Sequence, residues 1–177
     1  MRKLSLEYFI QLPFDDCCRT VQAMPYQRNA FKADILCVLK ENCGTCSTKH
    51  AFLKYVAEIK RIDGVQLMLG IFMMNSANTP RIIPVLQKYN LQEMPEAHNY
   101  LKINGEIKDF TRKGWKPEIF ANDLVFETEI ETDQITDFKI DFHRKFLSSY
   151  LKKNTHIIYS LEEFWKIREE CIKALQK

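Results

Sequence analysis

The sequence has few glycines and prolines, and it has no long apolar run. Only 5 of its 177 residues are Gly and 6 are Pro, while 46% are hydrophobic, and this composition predicts one compact domain over residues 1–177. No apolar stretch reaches the roughly 18 residues that a membrane span requires. The opening segment, MRKLSLEYFIQLPFDD, lacks the apolar core and small-residue cleavage site of a secretory signal. We therefore expect a cytoplasmic protein with no membrane partner.

The chain also lacks a strong excess of either charge. Its 26 basic and 23 acidic residues are spread along the sequence and give a formal net charge of +3. Binding to a nucleic acid usually requires a concentration of basic residues on one surface. We therefore expect no nucleic-acid partner. The composition gives no indication of the oligomeric state.

Cysteine, by contrast, is well represented. The six positions are Cys17, Cys18, Cys37, Cys43, Cys46 and Cys171. Without a secretory signal, such cysteines are expected to remain free thiols in a reducing compartment rather than to form a disulfide framework. The chemistry of individual thiols is therefore the first place to look for a function.

Hydrophobic periodicity predicts an α+β fold in which helices pack on a mainly antiparallel sheet. We expect a core over residues 26–131, followed by C-terminal helices over residues 135–177. The expected elements are a helix over residues 31–39 with Asn29 as N-cap, an amphipathic helix beginning near Cys46, a buried strand over residues 65–74, a short helix or turns over residues 79–90, a hairpin at Asn104-Gly105, a strand over residues 124–131, a mostly helical stretch from Ile135 to Lys153, and a closing helix capped by Ser160 and Glu163. The start of the helix after residue 135 stays open, because DFKIDF also fits the alternation of a strand.

The stretch ENCGTCSTKHAFLKY, residues 41–55, places a cysteine where an amphipathic helix begins. Thr45 or Ser47 can cap the first turn of this helix, and the flexible Gly44 precedes it. A thiol at a helix N-terminus is stabilised as the thiolate by the helix dipole and by free backbone N–H groups. Cys46 is therefore a candidate nucleophile.

The sequence leaves three other roles open for these residues: a zinc site, a redox pair of cysteines, and His50 as the base. Cys43, Cys46 and His50 have zinc-ligand chemistry. Cys17 or Cys18 would complete that set, but the chain has no second Cys-x-x-Cys or His-x-x-x-His pair. A redox pair of Cys43 and Cys46 would be expected to follow a strand, whereas a helix is predicted before it. His50 lies one helical turn after Cys46 and could act as a base, although no acidic residue is evident to orient it.

A hairpin further along the chain supplies a second candidate base. If the Asn-Gly pair at 104–105 forms a two-residue turn, His98 pairs with Thr111. Side chains alternate along a strand, so His98 and Asp109 lie on one face as diagonal neighbours, roughly 7 to 8 Å apart. A carboxylate that accepts a hydrogen bond from one ring nitrogen leaves the other nitrogen free to serve a thiol. Cys46, His98 and Asp109 therefore form a candidate catalytic triad.

The segments GTCSTKHAFLKYVAEI and HNYLKINGEIKDFT resemble the transglutaminase-like branch of the papain-like cysteine-protease superfamily. The family pattern is a Gly-x-Cys that opens an apolar helix, a His that starts a strand, and an Asp followed closely by Thr. The resemblance spans residues 44–111, with EIK where a tryptophan often precedes the family's Asp. It implies a papain-like core with Cys46 as the nucleophile at a helix N-terminus, His98 as the base and Asp109 as the third member. Gln27, in PYQRN, is the implied counterpart of the family's oxyanion-hole side chain, with Tyr26 or Arg28 nearby.

The resemblance implies a cysteine-dependent hydrolase or acyltransferase without a cofactor or metal. Its substrate would be the amide or ester carbonyl of a small molecule, a peptide or a protein. A second hypothesis is a catalytically silent binding or assembly module, because a fold does not determine the chemistry it carries. The sequence does not identify the acyl donor.

Overall fold

The structure is a computed structural model that describes residues 4–175. The helices are α1 (Leu6–Gln11), α2 (Phe14–Ala23), α3 (Cys37–Glu41), α4 (Cys46–Ile59), α5 (Ile83–Lys88), α6 (Glu118–Ala121), α7 (Asp137–Lys153) and α8 (Leu161–Leu175). The strands are β1 (Val65–Asn75), β2 (Glu93–Ile103), β3 (Glu106–Lys108) and β4 (Leu124–Glu129). The α+β class with an antiparallel sheet is therefore confirmed. The first three and last two positions of the predicted span 1–177 lie outside the described residues.

The four strands form one sheet in the order β3-β2-β1-β4. β1 and β2 lie at its centre and pair antiparallel over their whole length, from Val65 opposite Ile103 to Asn75 opposite Glu93. β4 pairs antiparallel with the other side of β1. The central strand β2 carries the candidate base His98, so the centre of the sheet positions the site.

The apolar run in β1 is buried on both faces of the sheet, as predicted. Successive side chains of a strand point to opposite faces, and β1 contributes to two hydrophobic clusters in this way. In the cluster that includes buried side chains of α2 and α4, its members are Val65, Leu67, Leu69 and Ile71. In the cluster that includes buried side chains of α8, its members are Met68, Phe72 and Met74.

The predicted hairpin at Asn104-Gly105 is present. Both turn residues have positive φ, 51° at Asn104 and 83° at Gly105, which is the geometry of the tight turn that matches strand twist. The three pairs of the ladder have the predicted register, ending with Leu101 opposite Lys108. β3 stops there, so the predicted strand pairing beyond Lys108 is not formed.

The helix predicted over residues 31–39 is wrong for residues 31–36. Turns and a bend occupy residues 30–36, and α3 begins only at Cys37. Asn29 does not cap a helix, because its side chain donates to the Cys43 carbonyl (3.0 Å) and accepts from Thr48 Oγ1 (2.7 Å). Phe31 is 76% exposed. The apparent apolar stripe is thus not one helix face. Ile35 and Leu36 pack against the core from the turns, and Leu39 is buried in α3. Asn29 is used in a tertiary contact instead.

The C-terminal region follows the sequence pattern. The stretch left open between helix and strand is helical from Asp137. The Ser160 backbone N–H donates to Glu163 Oε2 (2.8 Å), and the Glu163 N–H donates to Ser160 Oγ (3.4 Å), which is the predicted capping box. Among residues 4–175, no helix has both the length and the apolar character needed to cross a membrane.

Candidate active site

The candidate nucleophile is the first residue of α4. Thr45 is the N-cap of this helix, and its backbone N–H donates to Thr48 Oγ1 (3.0 Å). Ser47, the other predicted cap, bonds instead to Asn99 Oδ1 (2.9 Å). Cys46 is 7% exposed. Its sulfur therefore lies at the positive end of a helix of 14 residues, where a thiolate is favoured.

Gly44 allows the chain to approach α4 closely. A Cβ at this position would lie 2.9 Å from Lys49 Cγ and 2.9 Å from Thr48 Oγ1. Lys49 cannot move aside easily, because its buried Nζ donates to the carbonyls of Met24 (2.6 Å) and Thr111 (2.8 Å). The glycine of the Gly-x-Cys motif is thus required by crowding beside the nucleophile.

We expect Gly44→Ala to destabilise the fold by about 1–3 kcal/mol, since the added methyl group overpacks a tightly bonded region. Urea unfolding followed by circular dichroism measures this change as a lower midpoint with an unchanged slope. A midpoint equal to that of the wild-type protein would contradict the role assigned to Gly44.

His98 and Asp109 are brought together by the hairpin, although the ladder does not extend to them. His98 Nε2 lies 2.7 Å from Asp109 Oδ2. The Thr111 backbone N–H donates to the other oxygen, Oδ1, at 2.8 Å. Burial opposes ionisation of this carboxyl, but the charge of His98 and its hydrogen bond hold the pKa of Asp109 well below its usual range. Asp109 is therefore ionised and orients the ring of His98.

Cys46 and His98 line a common cavity, and each shifts the pKa of the other. Burial alone would raise the pKa of Cys46, but the charges of Lys139 and His98 outweigh it and lower the pKa to about 6. Burial alone would lower the pKa of His98, but the charges of Asp109 and Cys46 raise it to about 10. At neutral pH the pair is therefore a thiolate and an imidazolium.

Lys139 is part of the site and carried no signal in the sequence. It comes from α7, is 8% exposed, and places Nζ 3.8 Å from Cys46 Sγ. The same ammonium donates to Asn99 Oδ1 (2.7 Å) and Ser47 Oγ (2.8 Å). A lysine in an amphipathic helix is expected on the solvated face, and only the packing of α7 against β2 places this one beside the thiol.

His50, the competing base, is held in place by two other contacts. Its Nδ1 lies 2.7 Å from the Cys46 carbonyl, and its Nε2 accepts from the Phe110 backbone N–H at 2.7 Å. Burial lowers the pKa of His50 to about 4. The ring is thus neutral with its proton on Nδ1, as these partners assign it. The sequence suggested no acidic neighbour, yet Asp109 Oδ1 lies 3.5 Å from Nε2. His50 therefore joins α4 to the Asp109 segment.

The other cysteines do not share the environment of Cys46. All six are free and buried. Burial raises the pKa of Cys43, and the Cys17 thiol donates to the Phe9 carbonyl (3.2 Å) within the core. Among residues 4–175, no three His, Cys, Asp or Glu side chains are grouped so that they could hold a metal ion. The zinc set considered from the sequence is thus not assembled in this part of the chain.

The PYQRN segment lies beside the nucleophile, but Gln27 does not face it. The Gln27 backbone N–H donates to the Gly44 carbonyl (3.1 Å), and its side chain is exposed. Tyr26 forms a bridge with Gly44 and lines both cavities that reach Cys46. Neighbouring residues of an extended segment point in opposite directions. Burial raises the pKa of the Tyr26 hydroxyl, which therefore stays protonated and able to donate.

Two cavities meet at Cys46. The first, called here the cation-lined cavity, has a volume of about 260 Å³, and its charged lining residues are Arg28, Lys32, Glu96, Lys139, Arg168 and Glu169. The second, called here the His98 cavity, has a volume of about 40 Å³ and is mostly apolar. A larger cavity of about 540 Å³, between residues 89–93 and 150–159, contains none of the candidate residues.

The His98 cavity contains two polar atoms that the protein itself does not satisfy. Thr111 Oγ1 and Trp115 Nε1 are buried, and neither has a hydrogen-bond partner within residues 4–175. Buried polar groups normally have partners. Their position beside the ring of His98 therefore makes them candidates for contact with a polar group of a substrate.

Compared with protein-family models, curated proteins and solved structures, the chain gives no significant match. The contacts around Cys46 are therefore the basis on which a function can be inferred.

Proposed function

We propose that the protein is a cysteine-dependent hydrolase or acyltransferase with a transglutaminase-like, papain-like core. It would act on an amide or ester carbonyl in a reducing compartment such as the cytoplasm. The observation that carries the proposal is that Cys46, at the start of α4, and His98 line one cavity, while His98 Nε2 lies 2.7 Å from Asp109 Oδ2. A nucleophile, a base and an orienting carboxylate in this order are what acyl transfer requires.

In the first half of the reaction, the Cys46 thiolate attacks the carbonyl carbon. A C–S bond forms and the carbonyl π electrons move to oxygen. As this oxyanion collapses, the bond to the leaving nitrogen or oxygen breaks, and the imidazolium of His98 gives that atom a proton. The product of this half is a thioester on Cys46 and a neutral imidazole.

In the second half, water or an amine attacks the thioester. His98 now takes the proton of the attacking group, the C–S bond breaks, and the thiolate leaves. Asp109 keeps the ring oriented through both halves and stabilises its positive charge. The final state is again a thiolate beside an imidazolium, so the cycle is closed without a cofactor.

The oxyanion needs hydrogen-bond donors at the helix start. The backbone N–H of Cys46 is one of the free N–H groups at the N-terminus of α4. We assign the second donor to the hydroxyl of Tyr26, which lines both cavities. Gln27, the residue that the family resemblance implies, has an exposed side chain, so it would need to turn inward to take this role.

An acylation experiment tests the proposal. With p-nitrophenyl acetate, we expect a burst of p-nitrophenol and an acetyl group on the peptide that contains Cys46, because the lowered pKa of this thiol makes it a thiolate at neutral pH. Cys46→Ser should abolish the burst. Mass spectrometry of the digested protein locates the acetyl group.

Cys43→Ser is the matched control, since it removes a buried thiol three positions away whose pKa is raised rather than lowered. This variant should retain the burst. Acetylation spread equally over several cysteines, or a burst that survives Cys46→Ser, would favour the silent binding module over the enzyme.

A further inference from the structure

The cation-lined cavity holds more positive charge than its carboxylates balance. Its lining includes four basic side chains, Arg28, Lys32, Lys139 and Arg168, and two carboxylates, Glu96 and Glu169. With these six side chains and the Cys46 thiolate all charged, the lining carries a net charge of +1. A cavity of this kind attracts an anionic ligand, because the low dielectric of its walls strengthens the field inside it.

Three of the four cations already have partners. Arg168 forms a two-bond contact with Glu96 and also bonds to Glu169 Oε1 (2.5 Å). Arg28 Nη2 lies 2.7 Å from Glu169 Oε2. Lys139 Nζ lies 3.8 Å from Cys46 Sγ and donates hydrogen bonds to Ser47 Oγ and Asn99 Oδ1.

Lys32 is the cation without such a partner. Within residues 4–175 it forms no ion pair and no side-chain hydrogen bond, although it is only partly exposed and lines the cavity. Burial, followed by the charge of Lys139, lowers the pKa of Lys32. The charges of Cys46 and Asp137 act in the opposite direction. An ammonium in this partly desolvated position gains from a bound anion.

The direction of the reaction decides which part of the substrate occupies this cavity. His98 must protonate the leaving group, so the leaving group lies in the His98 cavity, where the volume is about 40 Å³. The acyl group then extends from Cys46 to the other side. The cation-lined cavity, of about 260 Å³, is the space on that side.

We propose that the acyl portion of the substrate carries a carboxylate, and that this carboxylate binds in the cation-lined cavity through the ammonium of Lys32. The proposal rests on the acyl-transfer function proposed above and adds the substrate class to it. A single carboxylate matches the single uncompensated charge. Glu96 and Glu169 would repel a more highly charged group.

Two alkylating reagents that differ in charge test this proposal. Iodoacetate and iodoacetamide both place a carbon on the sulfur and release iodide, but only iodoacetate carries a carboxylate. The quantity to compare is the iodoacetate rate divided by the iodoacetamide rate at Cys46, normalised to the same ratio for N-acetylcysteine. We expect a normalised ratio of about 10, which is the effect of one favourable charged hydrogen bond. Lys32→Gln should bring this ratio close to unity, because the iodoacetate rate falls more than the iodoacetamide rate.

Lys40→Gln is the matched control. Lys40 is an exposed lysine of α3 that pairs with Asp34 (2.5 Å) and does not line the cavity. This variant should keep the wild-type ratio. As a second measurement, propionate, which carries a single carboxylate, should slow the labelling of Cys46 by iodoacetamide, and neutral propionamide at the same concentration should not.

The outcomes separate this proposal from the one on which it rests. Fast labelling of Cys46 by iodoacetamide, with equal normalised ratios in the wild type and Lys32→Gln, would overturn the carboxylate site and leave the nucleophile intact. Protection by inorganic phosphate as strong as that by propionate would contradict the choice of a carboxylate. Slow labelling by both reagents would overturn the proposed function as well.

Discussion

His98→Gln is expected to raise the pH midpoint for alkylation of Cys46 by about two pH units. In the wild-type protein the thiolate forms as the pH rises through the Cys46 pKa of about 6, because the imidazolium of His98 and the ammonium of Lys139 stabilise it. The amide of the variant carries no charge, so only Lys139 and the N-terminus of α4 remain to oppose the cost of burial. The thiolate then forms at a higher pH.

The midpoint of the pH profile, rather than the rate at one pH, is the quantity to compare. A thiolate with a higher pKa is also a stronger nucleophile, which partly offsets its lower abundance. Mass spectrometry of the Cys46 peptide after timed exposure to iodoacetamide gives the rate at each pH. Turnover of an ester or amide should fall further, by about 10²-fold to 10⁴-fold, because the general acid is lost.

The wild-type turnover profile should be bell-shaped. Its acid limb follows ionisation of Cys46, and its alkaline limb follows loss of the His98 proton, with a pKa of about 10. A raised pKa means that the imidazolium is present below that value and disappears above it, so protonation of the leaving group fails on the alkaline side.

His156→Gln is the control for this experiment, since His156 is exposed and lies outside both cavities that reach Cys46. It should leave the alkylation midpoint in place. An unchanged midpoint in His98→Gln would mean that the charge of the His98 ring does not stabilise the Cys46 thiolate.

Lys139→Met is expected to raise the same midpoint by about one to two pH units. Lys139 is buried 3.8 Å from Cys46 Sγ, where a positive charge is weakly screened. Methionine fills a similar space without the charge. Above the new midpoint, turnover should recover towards the wild-type value, because His98 is still present to protonate the leaving group. In His98→Gln, turnover should stay low even above the new midpoint, because no imidazolium is present to protonate the leaving group.

Lys145→Met, on the exposed side of the same helix, controls for the loss of one lysine from α7. Thermal unfolding of both variants checks that the fold is retained, since Lys139→Met also removes the donor to Asn99 and Ser47. An unchanged midpoint in a folded Lys139→Met protein would mean that the ammonium does not stabilise the thiolate.

Local signals in the sequence were sufficient for several elements of the fold. The Asn-Gly pair at 104–105 predicts a tight turn because both residues must adopt positive φ, and they do. The helix that opens at Cys46 and the capping box at Ser160 depend on neighbours three or four residues away. The apolar run of β1 also predicts its own environment locally, because adjacent side chains of a strand point to opposite faces and the side chains of this run are apolar.

The same kind of reasoning failed where a distant contact competed with a local one. Asn29 has the chemistry of a helix N-cap, but Thr48 and the Cys43 carbonyl take its side chain. Tyr26 and Gln27 are adjacent, and only the bridge to Gly44 decides which of them faces the cavities at Cys46. Propensity describes what a segment can form alone, and tertiary partners can override it.

By itself, the sequence determined the α+β class, the position of Cys46 at a helix start and the presence of His98 and Asp109 on one hairpin, because each depends on short-range periodicity or turn chemistry. Only the tertiary structure placed Lys139 of α7 beside the thiol, and only it placed Lys32 in the cavity without an ion pair among residues 4–175. These two lysines resemble ordinary surface lysines in the sequence. Charge acts through space, so which groups share a buried site is decided by the packing of elements that are distant along the chain.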